Sequence, residues 1–175
     1  MAVNQRHRNH CVMAVINKRN DLTRKSALNK QVCIALLSFI FLMGCSGTIP
    51  KLGVNSGQLK PCPDKPNCVN SQTADKIHFI QPMHFSGTGQ DAQQRLLQVL
   101  QALQQTKIVA AQENYIRVEF TSKVFRFIDD AEFYFQSAEN GKTIINLRSA
   151  SRIGHSDFGV NRERIEQIRN KFKVY

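Results

Sequence analysis

Tyr115-Ile116-Arg117-Val118-Glu119-Phe120-Thr121, with its echo Ala131-Glu132-Phe133-Tyr134-Phe135-Gln136, decides the fold class. In the first stretch Ile116, Val118 and Phe120 face one way and Tyr115, Arg117 and Glu119 the other. That is the period of a strand with one apolar face. Phe133 and Phe135 repeat the pattern against Glu132, Tyr134 and Gln136. Working outward, Lys107–Ala111 and Thr143–Ser149 read as two more strands, and Glu139-Asn140-Gly141-Lys142 carries the Asn-Gly of a tight hairpin turn. Residues 123–128 read either as a strand or as a bend leading into Asp129-Asp130. Connections this short join antiparallel neighbours.

The helices lie outside this block. Thr88-Gly89-Gln90-Asp91 has the spacing of a capping box, and Ala92, Leu96, Val99, Leu100 and Leu103 fall on one face at 100° per residue, predicting a helix over 90–105. Its outer face is Gln-rich and reads as solvated. Ile165, Ile168 and Phe172 predict a C-terminal helix opening near Asn161, with Arg162, Glu166, Arg169 and Lys173 along a neighbouring stripe. Ile77–Ile80 reads as a short strand ahead of the first helix. The expectation is one small α+β domain over 61–175, an antiparallel sheet of four to six strands with two helices on one face. A chain of 175 residues, 42% hydrophobic and 21% charged, suits one such domain.

The net charge of +11 invites a nucleic-acid reading, but it is unevenly placed. Residues 1–44 hold seven basic groups against the single acid Asp21, a surplus of +6; the other 131 residues carry +5, no Trp and no basic run interleaved with aromatics. This argues against polyanion binding. Val32–Met43 is a run of twelve residues without a charge, preceded by Lys25 and Lys30 and followed by Gly44-Cys45. As a helix it would span about 18 Å, short of the ~30 Å hydrocarbon core. A basic flank, a short apolar run and a small residue before a cut are the parts of an export signal.

Leu42-Met43-Gly44-Cys45 resembles the lipobox of bacterial lipoproteins, although Met43 is bulkier than the usual residue there. That resemblance implies a leader over 1–44, lipidation of Cys45 and a membrane-anchored product. Ser46, where an Asp would signal retention in the inner membrane, implies the periplasmic face of the outer membrane. The stretch ahead of the signal is long, so Met1 reads as an over-extended start, with translation opening nearer Met13 or later and residues 1–12 untranslated. Residues 45–60, rich in Gly, Ser and Pro, read as a flexible tether. Cys11 and Cys33 would leave with the leader, making Cys62 and Cys68 the one free pair. In an oxidising compartment a disulfide is the preferred reading. Zinc would need two further ligands, and His78, His84 and His155 have no ligand-like spacing; a redox pair would more typically enclose two residues.

Three separated motifs remain: Pro61-Cys-Pro-Asp-Lys-Pro-Asn-Cys-Val-Asn-Ser-Gln72, Phe127-Ile-Asp-Asp-Ala-Glu-Phe133, and the run from Arg148 to Arg164 with Arg152, His155, Asp157 and Arg162. Together they resemble the domain-of-unknown-function family 1499 over residues 59–172, with Lys65 and Asn70 where Ser is commoner. The resemblance implies no activity and no cofactor. Read physically, the third motif has three accounts. Asp129, Asp130 and Asp157 could pair with Arg148, Arg152 and Arg162 as a structural brace. The three arginines could instead converge at the start of the last helix to hold an anionic lipid, a phosphate or a cell-wall carboxylate. The third is hydrolysis, with Asp129 or Asp130 as base and His155 as acid, or Ser151, His155 and Asp157 as a nucleophilic set. No Gly-x-Ser-x-Gly elbow, metal motif or phosphate loop accompanies them. The sequence therefore points to a non-enzymatic binding or structural module of the cell envelope, with an envelope hydrolase as the alternative. The oligomeric state is not legible in it.

Overall fold

The computed structural model describes residues 47–174. The leader, its apolar run and Cys45 lie outside the described residues. In chain order the elements are β1 (Cys68–Asn70), β2 (Met83–Ser86), α1 (Gly89–Gln101), β3 (Thr106–Gln112), β4 (Tyr115–Thr121), β5 (Ile128–Ala138), a single 3-10 turn (Glu139–Gly141), β6 (Lys142–Ser151) and α2 (Val160–Val174). All six strands form one antiparallel sheet in the order β1-β6-β5-β4-β3. β2 also pairs with β6. It takes the length of β6 from Lys142 to Ile145, while β1 takes Arg148–Ala150, so two short strands share one edge of a long one.

Register explains why one face is dry. Ile116 lies opposite Phe133, and Phe133 opposite Leu147; Val118 lies opposite Ala131, and Phe135 opposite Ile145. All seven side chains join one core cluster with Ala92, Leu96, Val99 and Leu100 of α1 and Ile165, Ile168 and Phe172 of α2. Burying each large member contributes about 1.5–3 kcal/mol. Thr88 caps α1 as its spacing predicts, Oγ1 accepting from the Asp91 N–H at 3.1 Å and donating to Asp91 Oδ2 at 2.7 Å. The Asn140-Gly141 turn has φ of +57° and +65°, the conformation for which that pair is suited.

Two expectations need correction and one open reading is decided. The first helix stops at Gln101, short of 105, where the chain tightens into a turn with Leu103 N–H donating to the Leu100 carbonyl, and Gln105 takes a left-handed conformation just before β3; Leu103 still packs on the core from this turn. Residues 77–80 form no strand. The Asp75 carbonyl accepts from Phe79 N–H and its carboxylate from Ile77 N–H, winding the segment into a turn that touches the sheet through one Asn70–Phe79 bridge. The pairing strand ahead of α1 is β2. Of the two readings of 123–128, the bend holds for 123–127, and β5 starts at Ile128, so Asp129-Asp130 sits inside a strand.

The second sheet face is covered from the N-terminal side. Within the stretch read as a tether, Gly53 N–H donates to Glu132 Oε1 (3.0 Å) and Leu59 N–H to Gln72 Oε1 (2.8 Å). Gln72 Nε2 donates to the Gly57 carbonyl and Asn70 Nδ2 to that of Lys60. Leu59 is buried. Composition suggests a spacer there, but side-chain amides of the first motif supply partners that periodicity does not reveal. Cys62 and Cys68 are joined in a disulfide. Among the described residues no helix is long and apolar enough to cross a membrane.

Candidate functional site

The polar side of the β4, β5 and β6 alternation gathers the charged residues. Arg117 lies opposite Glu132, and Glu132 opposite Arg148; Glu119 lies opposite Asp130. Charges thus alternate across the Arg117–Glu132–Arg148 row, whereas Glu119 and Asp130 are like charges on facing positions, where cross-strand neighbours are about 5 Å apart and a cation must lie between them. Arg117 reaches diagonally to Asp130, Nη2 to Oδ1 at 2.7 Å and Nε at 3.1 Å. Arg152, one residue past β6, donates from Nε to Asp130 Oδ2 (2.7 Å), from Nη2 to Oδ1 (3.0 Å), and to Glu119. The Arg152 side chain is 3% exposed and that of Asp130 1%. The bonds to Asp130 hold the Arg152 guanidinium above its ordinary pKa.

A second cluster surrounds Glu132, which is fully buried. Its Oε1 accepts from Tyr115 Oη (2.8 Å) and from Gly53 N–H, and its Oε2 meets Arg148 Nη1 at 3.4 Å. Burial pushes the Glu132 carboxyl above the usual carboxylate range, against the opposing pull of Tyr115, Arg148 and the Gly53 amide. Burial likewise pulls Arg148 down, and its Nε has no hydrogen-bond partner among the described residues. Desolvation and the neighbouring carboxylate push the Tyr115 phenol up.

On the helix side the polar groups fasten α2. Asp129 faces opposite to Asp130 and receives Arg164 Nη2 at 2.6 Å, whose guanidinium also lies 4.7 Å from the Phe120 ring centroid. Asp157 accepts from the N–H groups of Gly159 and Asn161 and from Asn161 Nδ2, so it caps α2. Buried Asn161 also donates to the Asn67 carbonyl and Ser151 Oγ and accepts from Ser149 Oγ at 2.5 Å. Arg162 donates to the carbonyls of Phe79 (2.8 Å) and Ile77 (3.0 Å), and Arg169 to those of Pro82 and Gln81.

The expected groupings are therefore redistributed. Of the anticipated pairs, Asp130–Arg152 is present; Asp129 pairs with Arg164, Arg148 with Glu132, and Arg162 and Asp157 meet backbone groups. Arg148, Arg152 and Arg162 do not converge at the start of α2, because the first lies within β6, the second turns to the far sheet face and the third reaches the 77–80 turn. Asp129 and Asp130 point to opposite faces and are engaged, while His155 is exposed in the loop before α2. Ser151 and Asp157 are each bound to Asn161, and neither bonds His155. Neither acid-base arrangement is assembled. Among the described residues no three His, Cys, Asp or Glu side chains group as metal ligands. The motifs do not single out Arg117, Glu119 and Glu132 as site residues, although their alternation with Asp130 and Arg148 on paired strands is a signal. Arg164 and Asn161 carry no comparable signal.

The sequence model of the family described as Protein of unknown function (DUF1499) matches residues 58–172, more than half of the chain. No curated protein matches. Among solved structures, the crystal structure of TTHA0849 from Thermus thermophilus aligns at 10% identity and a TM-score of 0.30, covering 61% of this chain and 91% of that one.

Proposed function

The chain belongs to this DUF1499 family, and from that premise we propose that it is an exported lipoprotein, held by acylated Cys45 at the periplasmic face of the outer membrane, whose domain works as a non-enzymatic structural or binding module of the envelope. The anchor rests on Leu42-Met43-Gly44-Cys45 and the short apolar run before it. One acyl chain binds a membrane reversibly, at about 0.8 kcal/mol per buried methylene, and two or more hold it lastingly. The observation that carries the non-enzymatic reading is that the aspartates of the second and third motifs are spent: Asp129 on Arg164, Asp130 on Arg117 and Arg152, and Asp157 on the cap of α2. A general base needs a lone pair within reach of a substrate proton, and these carboxylates are already engaged by arginines or by the α2 cap. An anion at Arg152 would have to displace both Asp130 and Glu119.

The test is the intact mass of native, membrane-extracted protein before and after reduction. The reading expects a chain beginning at acylated Cys45 that gains two hydrogens on reduction. An unprocessed chain with free thiols would overturn both the anchor and the export.

A further inference from the structure

We propose that the end of the sheet from which the β4–β5 loop projects is a membrane-contacting tip that rests on an anionic phospholipid surface. The inference rests on the proposed acylation of Cys45 and adds to it the face that the domain turns to the bilayer. Residues 122–127 form a closed loop, Ser122 N–H donating to the Phe127 carbonyl and Phe127 N–H to Ser122 Oγ. This loop holds its apolar side chains outward: Val124 is 78% exposed and Phe125 68%, and the Phe125 and Phe127 rings stack at 5.4 Å. Lys123 and Arg126 stand exposed beside them, and among the described residues neither is in an ion pair.

Two further segments meet the same sheet end. Arg152 N–H donates to the Ile128 carbonyl, so the chain after β6 leaves beside the loop, and it carries Phe158, 96% exposed at a φ of +55°. Gly47 packs so closely on Arg152 and Ile153 that a Cβ there would lie 2.8 Å from Ile153 Cγ2, and Ile49 follows it, also exposed. The chain therefore enters the described fold at this end, two residues after Cys45. Single exposed apolar residues are ordinary, whereas a cluster on neighbouring loops marks a contact surface. Its flanking cations and its closeness to the lipidation position favour lipid as the occupant. Aromatic rings settle at the headgroup boundary, and Lys and Arg stems reach past them to phosphates.

The chain has no Trp, so one introduced residue is a clean reporter. The full chain carrying Phe125→Trp is compared with one carrying Glu113→Trp, in the β3–β4 turn at the opposite end, in vesicles of phosphatidylethanolamine and phosphatidylglycerol with brominated acyl chains. The Phe125→Trp emission is expected to shift to shorter wavelength and to be quenched, consistent with burial of about 5–10 Å, with neither change for Glu113→Trp. Water-exposed, unquenched emission from Phe125→Trp on a chain whose mass shows acylated Cys45 overturns the tip and leaves the anchor standing. Quenching with Cys45 unmodified sustains the tip while the anchor falls. A shift that needs only higher protein concentration and no vesicles assigns the surface to a second copy and overturns the proposal.

Discussion

Glu132 and Arg148 occupy facing positions of β5 and β6 with almost no access to water, yet their closest approach is 3.4 Å and one Arg148 nitrogen is unpartnered. Removing one partner of such a pair leaves an uncompensated buried charge, which typically costs 3–5 kcal/mol, while neutralising both is far milder. Arg148→Met should therefore lower the unfolding free energy by about 3–5 kcal/mol in urea titration. Adding Glu132→Gln, which keeps an acceptor for Tyr115 and Gly53 but no charge, should restore most of that loss. If the double variant is as unstable as the single, the pair is not the electrostatic unit described here. Half of this unit is legible in the sequence, since Arg148 stands out in its motif. Glu132 does not, because alternation says that a residue leaves the apolar face without saying that the other face is covered as well.

At the scale of elements, the pattern is most faithful where a stripe is long and uninterrupted. β4 has the bounds its alternation predicts, and α1 and α2 bury the residues their spacing selects. It misleads at 77–80, where four residues are too few for periodicity to compete with Asp75, whose side chain and carbonyl both turn the backbone. That turn is fastened to the disulfide-closed loop by His78, Nδ1 at 2.6 Å from Asp75 Oδ2 and Nε2 at 2.9 Å from the Lys65 carbonyl. Both partners accept, so the ring donates to both only when each nitrogen carries a proton, and the site favours the imidazolium form. The Lys65 carbonyl is the leading cause that raises the His78 pKa, joined by Asp75 and opposed by burial. A group with a raised folded pKa stabilises fully below its unfolded value and loses that contribution as pH rises through the folded one. Melting temperature should therefore fall between about pH 6.5 and the higher folded pKa, and His78→Asn should flatten that slope. An unchanged slope in the variant would remove His78 as the fastener.

For the whole molecule, the three motifs far apart in sequence are one neighbourhood in space. Cys68 and Asp130 both lie opposite Ala150, and Asn161 of α2 binds the Asn67 carbonyl. The helices close one face of the sheet, and the chain from Gly53 to Leu59 crosses the other over Glu132. The fold class and helix faces are legible because they follow from local periodicity. The brace is legible in its residue types and not in its partners, because partners depend on strand order and register. Its central member is Arg152, which joins the end of β6 to Asp130 and Glu119. The most direct measurement is thermal melting of wild type and Arg152→Ala, each with and without inorganic phosphate. The account predicts that Arg152→Ala loses about 3–5 kcal/mol, a fall of roughly 10 °C or more, with phosphate shifting both proteins equally. A variant that melts like wild type but has lost a phosphate-dependent protection would contradict the brace and make Arg152 part of an anion site.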